Sequence, residues 1–204
     1  MNNHRPPCAT LICSPPRHLH VSRKGLVIAL SGSPGSGKST LANEAADKGF
    51  EVTSVRQLAE QFSRIGEEDA EDGARPIDIS GLVADLEKEW AVRDSNDMLL
   101  LDGHLSHHLP VDAIVILRYP PEGLRQRNHA RGWAENKVEE NAEWELLGGT
   151  WNDEELFEGK PVLEIDVSED DLGTGLDVLV AWIANDLKPE RPAVAIDWID
   201  RIHG

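Results

Sequence analysis

Residues 32–39, Gly32-Ser33-Pro34-Gly35-Ser36-Gly37-Lys38-Ser39, match G-x-x-x-x-G-K-[ST] at every fixed position. Glycines let successive backbone N–H groups converge on phosphate oxygens without Cβ clashes. A helix opening at Lys38 adds the positive end of its dipole. The spacing brings the Lys38 ammonium to β- and γ-phosphates and the Ser39 hydroxyl to Mg²⁺. Thr40 is one residue on, in reach of an α-phosphate. The alternative is a Gly/Ser-rich turn matching by chance. An apolar run before the pattern and a helical period after it argue for the phosphate loop.

Met98-Leu99-Leu100-Leu101-Asp102 is an apolar run that delivers one carboxylate, the form in which phosphate-loop proteins hold Mg²⁺. Asp102 is the candidate, and a turn aspartate capping the strand end is the alternative. His104 follows in Asp102-Gly103-His104, with His107 and His108 close behind. A histidine there orients a water or contacts a transferring phosphoryl group, or is a plain loop residue. Three histidines also raise chelation, but the sequence shows no cysteine or second ligand set to complete a zinc site. Phosphoryl transfer needs positive groups around the moving charge. Arg118, Arg125, Arg127 and Arg131 cluster in an otherwise acidic chain. Arg118 and Arg131 are the candidates for that role, and Arg125 and Arg127 serve either it or a solvated helix face. Arg131-Gly132-Trp133 reads as a lid hinge, with Trp133 either stacking on a base or packing the lid.

These residues need a scaffold that brings them to one edge. Leu26–Leu30, Met98–Leu101, Ala113–Leu117 and Pro161–Val167 read as strands buried on both faces, with Glu51–Val55 as another. Between them the pattern predicts helices over Lys38–Lys48, stopped by Gly49, then Arg56–Ile65, and Leu82–Val92 capped by Ser80. Further helices are predicted from Pro121 to about His129, and over Glu135–Leu147 and Gly175–Leu187. Gly66–Pro76 reads as an acidic surface loop. The expected fold is α/β: a P-loop NTPase with a doubly wound five-stranded parallel sheet, helices on both faces, and short lid and acceptor-binding segments. Gly32, Asp102 and Arg118 all fall at carboxyl ends of strands, where such sheets bind ligands.

The chain has 20 basic and 37 acidic residues, net -17. That excludes direct binding to free DNA, which needs a basic footprint. It suits a basic protein partner, a salty cytoplasm, or plain solubility. Residues 1–24 carry four basic and no acidic side chains, and include Pro6, Pro7, Pro15 and Pro16. They read as a disordered leader, either a functional tail or an upstream start. Residues 25–188 form the expected domain and 189–204 a tail whose Trp198 packs on this chain or on a partner. No apolar stretch is long enough for a membrane span, and Cys8 and Cys13 imply no disulfide framework. A cytoplasmic location is expected.

Gly32–Thr40, Asp102-Gly103-His104, Val115-Ile116-Leu117-Arg118, and Arg131-Gly132-Trp133 with Lys137, Asn141 and Glu145 resemble adenylate kinase isoenzyme 6, the CINAP-type family. The resemblance spans roughly Leu26 to Leu187. It implies a nucleoside-monophosphate kinase with ATPase activity, linked to maturation of the pre-ribosomal small subunit and to the universal small-subunit ribosomal protein eleven. It implies that Gly35, Gly37, Lys38, Ser39, Thr40 and Arg131 bind ATP, that Ser39 and Asp102 hold Mg²⁺, and that Lys38, Asp102, His104, Arg118 and Arg131 are catalytic. AMP or another nucleoside monophosphate would dock on residues 55–78, under a lid at 130–140. The acceptor segment Ser54-Val55-Arg56-Gln57 lacks the family's Asn. Two other readings stay open: an assembly ATPase whose hydrolysis releases a ribosomal protein, and a small-metabolite kinase of the shikimate type.

Overall fold

An apolar run with no polar alternation is stable only where helices cover both faces of its sheet. The computed structural model shows this arrangement, and describes residues 25–68, 75–91, 98–168 and 172–204. The strands are β1 (Val27–Gly32), β2 (Glu51–Ser54), β3 (Leu99–Asp102), β4 (Ala113–Arg118) and β5 (Val162–Asp166). They form one parallel sheet in the order β2-β3-β1-β4-β5. Alternate side chains of each strand supply two cores. Ile28, Leu30, Leu100, Val115 and Leu117 pack with α1 (Lys38–Asp47) and α6 (Leu172–Ala184). Val27, Ala29, Leu101, Ile114 and Ile116 pack with α2 (Val55–Gln61), α3 (Ile79–Trp90) and Phe157. Leu30 and Ile116 are fully buried on opposite faces, and truncating either to Ala costs about 2–5 kcal/mol.

The register positions the site. Leu30 of β1 lies beside Asp102 of β3, and Gly32 lies beside Leu117 of β4. The phosphate loop therefore leaves the sheet between the ends of β3 and β4, at its central strand. On the far side of β4, α4 (Pro121–Ala130) and α5 (Glu135–Leu146) form a helical hairpin joined through Gly132, whose φ is +75°.

Several boundaries differ from the sequence expectation. The helix α3 begins at Ile79, and Asp78 rather than Ser80 caps it: Asp78 Oδ1 accepts from Gly81 N at 2.9 Å. The Asp78 carboxylate also meets Arg64 at 3.3 Å, which fixes the turn before the helix. Its expected end at Val92 lies outside the described residues, as do residues 69–74 of the acidic loop and the whole leader. The closing helix α6 starts three residues before the expected Gly175 and ends at Ala184, where Asp186 and Leu187 take positive φ and turn the chain. The tail then runs back to a further short helix, α7 (Trp198–His203). Among the described residues no helix is long and apolar enough to cross a membrane.

Candidate active site

The phosphate loop is held in shape from below and from the side. Gly32 has φ +130°, and a Cβ there would stand 2.3 Å from the Leu117 carbonyl oxygen of the neighbouring strand. Gly35 has φ +96°, with Asn128 Oδ1 2.9 Å from the place a Cβ would take. Only glycine fits such positions without displacement. From α4, Arg127 Nη1 donates to Gly35 O at 2.8 Å and Asn128 Nδ2 donates to Pro34 O at 3.3 Å. From α5, Glu145 Oε2 accepts from Ser33 Oγ at 2.5 Å. Arg127 also lies over the Tyr119 ring at 3.6 Å. The Pro34 and Gly35 carbonyls are thus held by α4.

Lys38 is buried, and its Nζ donates to Gly32 O at 2.8 Å and Ser33 O at 2.9 Å. Burial lowers its pKa to about 8; Asp102 and Glu145 oppose that shift, and Arg131 adds to it. Ser39, the second residue of α1, donates to Asp102 Oδ2 at 2.7 Å, so helix and strand end present a hydroxyl and a carboxylate together. These are hard oxygen donors of the kind Mg²⁺ takes, and the chemistry of the set fits the ion. His104 lines the same cavity. Desolvation lowers its pKa, and Lys38, His107 and His108 add to the shift.

The cavity measures about 580 Å³ and is lined by Gly35, Gly37, Lys38, Ser39 and Thr40 at one end. Asp102, Gly103 and His104 form its floor, and Arg131 and Trp133 reach it from the α4–α5 turn. Its other end is lined by Val55, Arg56, Ile65, Arg75 and Ile77. An antiparallel bridge between Ile65 and Ile77 closes that end, and Ser54 caps α2 with a reciprocal bond to Gln57. Lys137 lies over the Trp133 ring at 5.2 Å, which packs the turn that carries Arg131.

The structure thus brings Lys38, Ser39, Thr40, Asp102, His104 and Arg131 to one cavity. It does not bring Arg118 there. Arg118 is 1% exposed and ends β4 pointing into a cluster of acids. Its Nε donates to Glu145 Oε1 at 2.6 Å, its Nη1 to Glu164 and to Ile196 O, and its Nη2 to Glu145 O. Burial alone would lower its pKa, but Glu145 and Glu164 hold it above the ordinary value. The expectation that Arg118 meets a transferring phosphoryl group is therefore corrected: four hydrogen bonds, to the Glu145 and Glu164 carboxylates, the Glu145 carbonyl and the tail, engage its guanidinium away from the cavity. Arg125 likewise serves structure, bonding Glu139 at 2.9 Å and Glu122 at 3.4 Å.

Three residues that grip the loop, Arg127, Asn128 and Glu145, were not singled out by spacing as loop contacts. No short motif signals them, because each acts on a backbone or hydroxyl group about a hundred residues away. The histidines also have a partner the sequence did not reveal: Asp153 Oδ2 lies 3.0 Å from His107 Nε2 and 3.7 Å from His108 Nε2.

Residues 28–148 match the model of the AAA domain family. A protein of Archaeoglobus fulgidus named "Putative adenylate kinase" is 36% identical over 87% of this chain and 94% of its own length. One of the same name from Methanocaldococcus jannaschii is 31% identical over 85% of this chain and 93% of its own. Among solved structures, a shikimate kinase from Acinetobacter baumannii superposes with a TM-score of 0.53 at 15% identity, covering 79% of this chain and 94% of that one. That likeness concerns the fold.

Proposed function

The chain belongs to the AAA domain family and to the adenylate kinase-like family of its archaeal relatives, and from that premise we propose that it is an adenylate kinase, transferring the terminal phosphoryl group of ATP to AMP. The observation that carries the reading is the 2.7 Å Ser39–Asp102 pair beside Lys38, at one end of a cavity whose other end is lined by arginines and aliphatic side chains. Arg56 and Arg75 suit a monophosphate, and Val55, Ile65 and Ile77 suit the faces of a base.

In this reading the loop N–H groups and the α1 dipole bind the ATP phosphates, and Thr40 meets the α-phosphate. Lys38 leaves the Gly32 and Ser33 carbonyls for the β- and γ-phosphates. Ser39 and Asp102 would hold Mg²⁺, which supplies charge neutralisation between the phosphates. Arg131, on the turn ending α4, closes on the transferring group, and Trp133 moves with it to exclude water. His104 stands where it can orient the acceptor oxygen. Neither nucleotide reaches Arg118, whose part is to position Glu145 under Ser33.

A second reading is supported by the charge of -17 and the resemblance to the CINAP-type family. In it the same site hydrolyses ATP, and turnover releases the basic ribosomal protein eleven during small-subunit maturation. The test is ADP formation from ATP and Mg²⁺ with AMP, dAMP, CMP, UMP, GMP or shikimate added in turn. The kinase reading expects AMP to raise the rate well above that of ATP alone. A rate no acceptor changes, but a basic ribosomal partner raises, replaces it with the second reading. A rate raised by shikimate alone rejects both.

A further inference from the structure

Behind the phosphate loop, outside the nucleotide cavity, three metal-ligating side chains converge. His107 and His108 lie on a 3-10 turn (Ser106–His108) after β3, and Asp153 lies in a 3-10 segment (Gly149–Phe157) after α5. The ligand atoms of all three lie within 4.8 Å of one another. Successive residues of a 3-10 turn point about a third of a turn apart, so adjacent histidines do not ordinarily aim at one group. Here both Nε2 atoms face the same oxygen, Asp153 Oδ2, at 3.0 and 3.7 Å, and the two rings lie 4.3 Å apart.

Those separations match ligands sharing a metal. Bonds of about 2.0–2.1 Å at tetrahedral angles put neighbouring ligand atoms roughly 3.3 Å apart. The second nitrogen of His107 is also held, as a ligating histidine needs. His107 Nδ1 lies 2.7 Å from Ser31 Oγ, and Ser31 Oγ lies 3.2 Å from the His104 carbonyl. When the Ser31 hydroxyl donates to that carbonyl it accepts from Nδ1–H, and Nε2 is left as a lone pair toward Asp153. In that tautomer two acceptors face each other at 3.0 Å, an arrangement a cation between them satisfies; in the other, Nε2–H donates to Asp153 and Nδ1 accepts from Ser31. Phe157 packs edge-on against the His107 ring at 5.8 Å and fixes its plane. His107 is buried, while His108 and Asp153 are partly exposed and leave a path for entry.

We propose that His107, His108 and Asp153 form a site for one Zn²⁺-type cation, completed by water, that ties the 106–108 turn to the 149–157 segment behind the phosphate loop. Two imidazoles, which are borderline donors, beside a single carboxylate favour zinc over Mg²⁺, so the site is chemically separate from Ser39 and Asp102. Its effect is structural. The ion fixes His107, His107 holds Ser31, and Ser31 precedes the first glycine of the loop.

The test uses the full chain, stripped with chelator and titrated with Zn²⁺ against a chromophoric competitor in the presence of excess ATP and Mg²⁺. The expected result is one zinc per chain and a zinc-dependent rise in Tm for the wild type and for H104A. H108A and D153N should each lose more than about 100-fold in zinc affinity and all of the Tm rise, since outer-shell changes alone cost about 10–100-fold. Cobalt should give visible ligand-field bands without thiolate charge transfer. Three results would overturn the proposal: no zinc retained against the competitor, zinc retained equally by H108A and D153N, or zinc lost when Cys8 and Cys13 are replaced by Ser. D153N is nearly isosteric at a partly exposed position, so its loss of zinc is read on a folded protein.

Discussion

Arg118 Nε and Glu145 Oε1 meet at 2.6 Å, with the two side chains 1% and 2% exposed. The same carboxylate accepts from Ser33 of the phosphate loop at 2.5 Å and from Trp198 Nε1 of the tail at 2.8 Å. Glu164 completes the cluster, accepting from Arg118, from Trp151 Nε1 at 2.9 Å and from Ile196 N at 2.7 Å. A strand end, a helix, the tail and the loop that receives phosphates are thus joined through one buried carboxylate. Two of the groups that set its position, Arg118 and Trp198, do not line the cavity.

Removing one partner of a buried pair leaves the other charge without compensation. Glu145→Ala should therefore destabilise the protein by about 3–5 kcal/mol in urea unfolding. Glu145→Gln keeps an acceptor for Ser33 and should cost clearly less. Equal losses in the two variants would show that the lost charge, common to both, accounts for the effect and that the retained acceptor adds nothing.

Trp198 separates the packing of the tail from its hydrogen bond. Trp198→Phe retains most of the ring and removes the Nε1–H donor, a loss of about 1.5–3 kcal/mol for a bond to a charged group. Trp198→Ala also opens a cavity at a residue that is 4% exposed, and should cost about 3–5 kcal/mol. Both are read from denaturant midpoints at constant slope. If neither moves the midpoint, the tail does not stabilise this fold.

The low pKa of Lys38 gives nucleotide binding a pH dependence of defined sign. Burial holds the group at about 8 against an ordinary 10.5, and nucleotide phosphates favour its charged form and raise the value again. Below about pH 8 the ammonium is present before and after binding, and Lys38 adds no pH dependence. Between about 8 and 10.5 binding must take up a proton, so ATP affinity falls as pH rises. Calorimetry in buffers of different ionisation enthalpy should show proton uptake at pH 9 and little at pH 7. Lys38→Met should abolish the difference.

Arg131 and Arg118 should give opposite kinetic signatures. Arg131 lines the cavity, and Arg131→Ala should lower kcat by about 10²–10³-fold, the scale of losing one electrostatic donor to a transition state, with unfolding nearly unchanged. Arg131→Lys should recover little, because a point charge does not replace a planar fork. Arg118→Met should act first on stability. A kcat loss for Arg118→Met at undiminished stability would return that guanidinium to the chemistry.

The fold was readable because its three central strands, β3, β1 and β4, are buried on both faces. Leu26–Leu30 and Ala113–Leu117 carry no polar alternation, and a Gly-rich loop follows the first of them. The Lys38 and Ser39 positions were readable because the pattern that names them also carries the Gly32 and Ser33 carbonyls on which Lys38 rests, and Asp102 because it ends an apolar strand. Arg118 was misread because a strand's last residue faces whatever lies beyond the sheet. Its partners, Glu145, Glu164 and Ile196, are 27 to 78 residues away. The partner of the histidines was hidden in the same way: Asp153 is 46 residues from His107, in a segment with no strong period. Local chemistry is visible in local sequence, whereas a buried charge is defined by residues that only folding brings to it.

The central claim concerns where the γ-phosphoryl group of ATP goes. It is tested most directly with ATP labelled at the γ-position, incubated with AMP and Mg²⁺ and separated into nucleotide and inorganic phosphate. The account predicts that label appears in ADP, that one AMP is consumed for each labelled ADP formed, and that Lys38→Ala abolishes the transfer. Label appearing in inorganic phosphate alone, with AMP unconsumed, would contradict it.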